Sequence, residues 1–174
     1  KYLITASERA DGSSRFGTDN KWGIFPSGAV AWRVSEEEFM KGIKFISDLK
    51  LRSSFGITGN TALSPYQSLS RLSSNRTIYG NASEVIGYVP ASLANPELKW
   101  ETTAQFDIGF DLALFNNVLT FTFDYYNKNT NNLLAAVPLP TSTGFSSALQ
   151  NIGEIQNRGL EFAMNANILD REVK

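Results

Sequence analysis

The chain has 174 residues, 42% of them hydrophobic and 19% charged, with 16 Lys and Arg against 17 Asp and Glu. The formal net charge of −1 excludes the basic stripe that nucleic-acid binding requires. Because His and Cys are both absent, Ser-His and Cys-His nucleophile pairs, disulfides and the usual imidazole or thiolate metal ligands are excluded too. We therefore expect no metal and no cofactor.

Three strands are predicted in the first third of the chain. Residues 2–9, 22–34 and 48–58 carry apolar side chains at alternate positions, as strands with one apolar and one polar face do. Pro26 lies inside the second of them, and a proline cannot donate to a strand ladder. We therefore expect an irregularity at that position.

The clearest strand is predicted from Leu98 to Leu114. All its even positions are apolar or small, whereas most of its odd positions are polar. At about seventeen residues, it is roughly three times the usual strand length of about 5–6 residues. This length, together with the alternation, is typical of a strand of a membrane barrel, in which one face meets lipid and the other meets water.

The rest of the chain continues the same pattern. A tight turn at 115–117 leads into a return strand at 119–126, and a last strand is predicted at 151–169. Long polar connections occupy 60–97 and 127–150, with a possible short strand at 133–137, whereas the other joins are shorter. The predicted fold is all-β: an antiparallel up-and-down meander of about six long strands, an open section of a large transmembrane β-barrel.

Two sets of side chains follow from these faces. The alternation predicts a lipid-facing set: Trp100, Phe106, Ile108, Phe110, Leu112, Leu119, Phe121, Phe123, Leu160 and Phe162. The polar faces carry the carboxylates Glu101, Asp107, Asp111 and Asp124. A glycosidase would need two such groups roughly 5–10 Å apart. We favour instead a water-filled lumen lined by these acids and balanced by Arg33, Lys50 and Arg52, because structural charge networks are common.

The first long connection contains the candidates for substrate binding. Tyr66, Arg71, Tyr79 and Tyr88 carry aromatic and guanidinium groups suited to stacking on a sugar and hydrogen-bonding to it. Loops held by a rigid scaffold often carry binding residues. Packing of the loop, or contact with a partner protein, would use the same side chains, so all three interpretations stay open.

Several motifs resemble one known family. They are Trp32 to Glu37, Pro65 to Leu69, Leu93 to Thr103, Gly144 to Gly153 and Asn157 to Glu161, in this order. Together they resemble the barrel region of SusC/RagA-type TonB-dependent outer-membrane transporters, and the resemblance covers nearly the whole chain.

The resemblance implies both a fold and a function. The family fold is a single-chain barrel of about 22 strands with a plugged lumen. Its members import glycans or peptides across the outer membrane of Bacteroidota, together with a SusD-like surface lipoprotein and energised by the TonB complex. Residues 1–174 would then be one partial barrel domain, without the plug domain and the remaining strands, and not an enzyme. The alternative is a soluble β-sandwich that binds carbohydrate, although sandwich strands are usually shorter.

Overall fold

The computed structural model describes residues 1–80 and 83–167, with only the backbone described for Tyr79. Within these residues, ten strands follow one another: β1 (Tyr2–Gly12), β2 (Trp22–Arg33), β3 (Ile46–Asn60), β4 (Arg71–Tyr79), β5 (Ser83–Ser92), β6 (Glu101–Leu114), β7 (Leu119–Asn131), β8 (Leu134–Pro138), β9 (Ser147–Asn151) and β10 (Glu154–Ala166). Short 3-10 turns occupy Thr18–Asn20, Val34–Glu36, Glu38–Met40 and Thr141–Thr143.

Six of the strands form one antiparallel sheet in the order β1-β2-β3-β6-β7-β10. The pairs β4-β5 and β8-β9 are separate hairpins inserted in the two long connections. The prediction of an all-β antiparallel meander is therefore confirmed. The sandwich alternative is wrong, because the described residues form no second large sheet packed across this one.

The register of the sheet explains why the alternation in the sequence matters. Leu51 pairs with Phe110, Phe110 pairs with Phe123, and Phe123 pairs with Phe162. One row of large apolar side chains thus crosses four strands on the same face. The next row on the opposite face contains Arg52, Gly109, Asp124 and Glu161. Successive rows across the sheet lie on opposite faces. The alternation of apolar and polar residues along one strand is therefore repeated in its neighbours.

The observed strands differ from the predicted ones in several places, and β1, β3 and β7 all extend beyond their predicted limits. β6 begins at Glu101 instead of Leu98. The predicted last strand, 151–169, is interrupted at Gly153, whose φ of 99° lies in the left-handed region, so that β9 and β10 are distinct. Positions 168–169 of that prediction lie outside the described residues. Pro26 still pairs with Glu8 of β1, but the ladder between β2 and β3 begins only at Ser27. The missing N–H of the proline is thereby kept out of that second ladder.

The buried side chains are concentrated in the connections at one end of the sheet. Phe16, Leu63 and Leu98 form a buried cluster, against which Trp100, Leu134 and Leu149 pack. We call these six residues the loop core. They come from three connections: 13–21, 61–100 and 132–153. The core of this molecule thus lies at the end of the sheet, where it joins three separate loops.

The other end of the sheet has short connections. Residues 34–45 and 115–118 are the two turns there, and the Phe115 amide donates to the Phe45 carbonyl at 2.9 Å. Phe115, Asn116 and Asn117 all have positive φ values between 53° and 66°, which reverses the chain tightly. Among the described residues, no helix has the length and apolar character needed to cross a membrane.

Candidate functional site

The apolar face of the sheet is largely uncovered. Phe106 and Ile108 on β6 are 40% and 49% exposed, and Leu160 and Phe162 on β10 are 69% and 66% exposed. The other predicted members of this set on β6 and β7 are half-buried by their neighbours: Phe110, Leu112, Leu119, Phe121 and Phe123. A face this large and apolar marks an interaction surface. That lipid covers it stays a prediction.

Trp100 departs from this set. It precedes β6, and its ring packs against Phe16 and Phe25 with ring centres 5.2 and 5.4 Å apart. Its indole Nε1 donates to the Lys21 carbonyl at 3.3 Å. Trp100 therefore packs in the loop core and against the polar side of the sheet. The prediction that it lies on the apolar face, which followed from its even position, is wrong.

The polar face carries an ion network centred on Arg52. Its Nη2 donates to Asp124 Oδ2 at 2.7 Å, and its Nε donates to Asp111 Oδ2 at 3.2 Å. Lys50 Nζ lies 3.6 Å from the same Asp111 oxygen, and Thr122 donates to Asp111 Oδ1 at 3.2 Å. Two of the four predicted carboxylates are thus neutralised by two of the three predicted cations.

Gly109 makes this network possible. It lies between Arg52 and Asp124 in the register, and a Cβ placed on it would overlap the Asp124 carboxylate and the Phe123 carbonyl. Because position 109 has no side chain, the guanidinium of β3 can reach across β6 to the carboxylate of β7. Sequence reasoning missed this role, since only the strand register shows which residue lies between the two charges.

The remaining predicted charges are placed elsewhere. Asp107 accepts hydrogen bonds from Gln105 Nε2 at 2.9 Å and Ser54 Oγ at 3.3 Å. Arg33 pairs with Glu36 at 2.6 Å and with Asp48 at 3.6 Å, so it does not join the Arg52 network. The described residues contain no group of three or more potential metal-ligating side chains.

The four predicted binding residues do not converge on one cavity. Tyr66 lies in the turn before β4, is 73% exposed, and has a φ of 63°. It lines a cavity of about 340 Å³ to which neither Arg71 nor Tyr88 contributes. Arg71 and Tyr88 belong to the β4-β5 hairpin. The side chain of Tyr79 lies outside the described part of the structure.

A carboxylate gathers polar groups at the short-turn end of the sheet. Glu37 accepts hydrogen bonds from Lys1 Nζ at 3.0 Å, and from Tyr2 Oη and Trp32 Nε1 at 3.1 Å each. The rings of Tyr2 and Trp32 stack with centres 6.1 Å apart. The hydrogen bond from Lys1, followed by that from Trp32, lowers the pKa of Glu37 below its ordinary value.

Hydrogen bonds between loops reinforce the loop core. Arg15 Nη1 donates to the Leu63 carbonyl at 2.7 Å, and Asn95 Nδ2 donates to the Leu149 carbonyl at 2.8 Å. Asn151 Nδ2 donates to the carbonyls of Lys99 and Asn132, both at 2.8 Å. The three connections are thus fastened to one another, which no pattern within a single loop predicts.

The sequence matches the family model described as "TonB dependent receptor-like, beta-barrel" over residues 1–171. It is 46% identical to TonB-dependent receptor P3 of Formosa agariphila over 173 residues, which are 99% of this chain and 17% of that protein. It is 38% identical to TonB-dependent receptor SusC of Bacteroides thetaiotaomicron, over 95% of this chain and 17% of that protein.

A solved structure shows the same fold. A chain of the RagAB peptide importer in the closed-closed state matches with a TM-score of 0.87 and 32% identity. The match covers 98% of this chain and 18% of that one. This chain therefore spans less than a fifth of the length of each of these three relatives.

Proposed function

Because the chain belongs to the TonB-dependent receptor-like β-barrel family, we propose that it forms part of the wall of an outer-membrane nutrient importer. The observation that carries this proposal is the two-sided sheet. One face is a band of exposed apolar side chains, and the other carries the Arg52 ion network. Hydrocarbon would cover the apolar side chains of the first face, and water would solvate the charged side chains of the second.

The dimensions of the apolar face agree with a membrane. Trp22 and Trp32 lie on the same face of β2, ten residues apart. At about 3.3 Å per residue and a tilt near 40°, this spacing corresponds to roughly 25 Å along the membrane normal. The apolar band of an outer-membrane barrel has about this height, with aromatic side chains at both of its borders.

The open edges of the sheet support a larger barrel. Among the described residues, β1 pairs only with β2, and β10 pairs only with β7. Their outer edges present unpaired backbone groups, which a strand in lipid cannot leave unsatisfied. We infer that further strands of a full-length protein pair with both edges, and that residues 1–174 are a section of its barrel domain, beside a plug domain.

Membership of the family supports a proposal about the substrate and the partners. We propose import of an oligosaccharide or a peptide across the outer membrane of a Gram-negative bacterium of the Bacteroidota type. In this proposal a SusD-like surface lipoprotein captures the nutrient and the TonB complex supplies the energy. One of the solved relatives is a peptide importer, so the experiments below include peptides as well as oligosaccharides. We assign no catalytic role, since Asp111 and Asp124 are both occupied by Arg52.

The two-sided wall is tested with spin labels in the full-length protein in lipid. Cysteines replacing Phe106 and Asp107 in separate variants carry the label, and each is exposed to oxygen and to a water-soluble nickel chelate. We expect oxygen to relax the label at 106 more strongly, and the chelate to relax the label at 107 more strongly. Equal accessibility at both positions would contradict the proposed wall.

Import is tested by genetics. A strain lacking the full-length gene should grow normally on a monosaccharide or on free amino acids. It should lose growth on one oligomeric nutrient, either an oligosaccharide or a peptide. The gene should restore that growth, and a copy with the TonB-binding segment deleted should not. Unchanged growth on every oligomer tested would contradict the importer.

A further inference from the structure

A second polar region lies on the sheet, below the loop core and away from the Arg52 network. It is a cavity of about 640 Å³, which we call the upper basin. Its walls come from the loop-side ends of β1, β2 and β3, from the segments after β1 and β3, and from the residue before β6. The lining residues that matter here are Ser7, Arg9, Arg15, Ser27, Thr58 and Trp100. Concave sites with a few convergent polar groups are where ligands usually bind.

The charges of the upper basin do not balance. Arg9 and Arg15 line it with a single carboxylate, that of Asp11. Arg9 Nε lies 2.7 Å from Asp11 Oδ2, so these two charges are paired. Within residues 1–80 and 83–167, Arg15 forms no ion pair. The basin therefore has a net charge of about +1, and it is located on the guanidinium of Arg15.

The guanidinium of Arg15 is also held in place. Its Nη1 donates to the carbonyl of Leu63, a residue only 3% exposed within the loop core. A guanidinium has five N–H donors in a planar fork. Only one of them has an acceptor among the described residues. The other four have no acceptor among these residues and can donate to a ligand.

The other walls are suited to an oligomer with polar groups and an apolar surface. Ser7 and Ser27 face each other across β1 and β2 with their hydroxyl oxygens 2.7 Å apart, and Thr58 adds a third hydroxyl. Trp100 supplies an aromatic ring fixed by its contacts with Phe16 and Phe25. A rigid ring beside hydroxyls offers both an apolar contact and hydrogen bonds to the same ligand.

On the premise that the chain is part of an importer, we propose that the upper basin binds a carboxylate of the imported oligomer, with Arg15 as its cation. A planar guanidinium binds a carboxylate through two parallel hydrogen bonds, which makes Arg the preferred residue for such recognition. The importer thereby selects acidic oligomers over neutral ones. Two sources share this chemistry: the terminal carboxylate of a peptide and the uronic acids of a glycan.

The test measures binding of two matched ligand pairs to the full-length protein in detergent by calorimetry. One pair is tetra-alanine with a free or an amidated C-terminus, and the other is tetragalacturonate or its methyl ester. We expect one acidic ligand to bind at least about tenfold more tightly than its neutral partner. The pair that shows the preference identifies the source. No preference in either pair, absence of binding included, overturns the proposal.

Variants connect the preference to Arg15. Arg15→Gln should weaken the acidic ligand by about tenfold to a hundredfold, since a hydrogen bond to a charged group is lost. It should leave the neutral ligand unchanged. Arg76→Gln removes an arginine paired with Glu84 on the β4-β5 hairpin and serves as the matched control. A preference for acid that survives in Arg15→Gln overturns the proposal.

Two further measurements separate misfolding and a failed premise from a failed proposal. Arg9→Gln lowers the charge of the basin without touching the bond to Leu63, so it should also reduce the acid preference, by a smaller factor. An unchanged preference in Arg9→Gln argues against electrostatic selection. If the labels at 106 and 107 alternate but no acid preference is found, only the basin assignment fails. If they do not alternate, the importer wall itself fails.

Discussion

The loop core and the apolar face of the sheet use similar side chains in opposite ways. Leu98 in the loop core is 0% exposed, whereas Leu160 on β10 is 69% exposed. The loop core covers its own apolar residues, whereas the apolar face of the sheet leaves them open. The loop core is therefore held by contacts between its own side chains. The apolar face of the sheet needs a covering that the described residues do not supply.

The largest expected effect comes from the loop core. Leu98→Ala should lower the free energy of unfolding by about 2–5 kcal/mol, because it removes contacts and leaves a cavity. Leu160→Ala is the matched control on the open face, with an expected change within about 0.5 kcal/mol. Denaturant unfolding of the full-length protein in detergent measures both, and protease cleavage within 61–100 should increase only for Leu98→Ala. Equal losses would remove the distinction between the two regions.

Charge on the open face should have the next largest effect. Ile108 lies near the middle of β6 and is 49% exposed. Ile108→Arg should make folding into lipid less favourable by about 2–4 kcal/mol. Gln105→Arg, on the polar face of the same strand, should have a small effect, and Ile108→Ala reports the loss of size alone. Refolding into vesicles gives the values. If Ile108→Arg and Gln105→Arg cost the same, lipid does not cover the face.

The polar face should respond to a single methyl group. Gly109→Ala places a Cβ against the Asp124 carboxylate and should cost about 1–3 kcal/mol through overpacking. Gly42 is the matched control, since nothing lies within 4 Å of a Cβ added there. Thermal unfolding in detergent compares the two variants. An unchanged melting temperature for Gly109→Ala would indicate that the Arg52 network tolerates displacement.

The smallest effect concerns pH. The pKa of Glu37 is lowered in the folded chain, so its contribution is fully present above the ordinary Glu pKa of about 4.3 and is lost as the pH falls through the lower folded value. Wild type should therefore exceed Glu37→Gln in stability at pH 7, and the difference should shrink below about pH 4. Tryptophan fluorescence during unfolding of the full-length protein measures this difference. A difference that grows in acid would mean that folding raises the pKa of Glu37 instead of lowering it.

The alternation of side chains was sufficient to predict most of the sheet. Because neighbouring strands share the same faces, the pattern in β6 and β7 also indicated that Phe106, Phe110 and Phe123 lie on one side. The pattern failed at its end, where Leu98 and Trp100 keep the alternation but belong to the loop core. A period of two cannot distinguish a strand from an extended loop whose apolar residues meet other loops.

The sites were less predictable than the fold. The pairing of Lys50 and Arg52 with acids was expected from their shared face, whereas the function of Gly109 depends on the register of three strands. The upper basin joins Arg9, Arg15 and Trp100, which are separated by up to about ninety residues in the sequence. Nothing in any one of these segments indicates the others. The hairpin β4-β5 was likewise missed, because its polar sequence resembles that of a loop.

The side chain of Asn151 has a mechanical consequence. Its amide bonds to both Lys99 and Asn132, and Arg15 ties the first connection to the second. A displacement of any one connection is therefore transmitted to the other two. An opening movement at this end of the sheet has to carry all three as one rigid unit, or else break these bonds one after another.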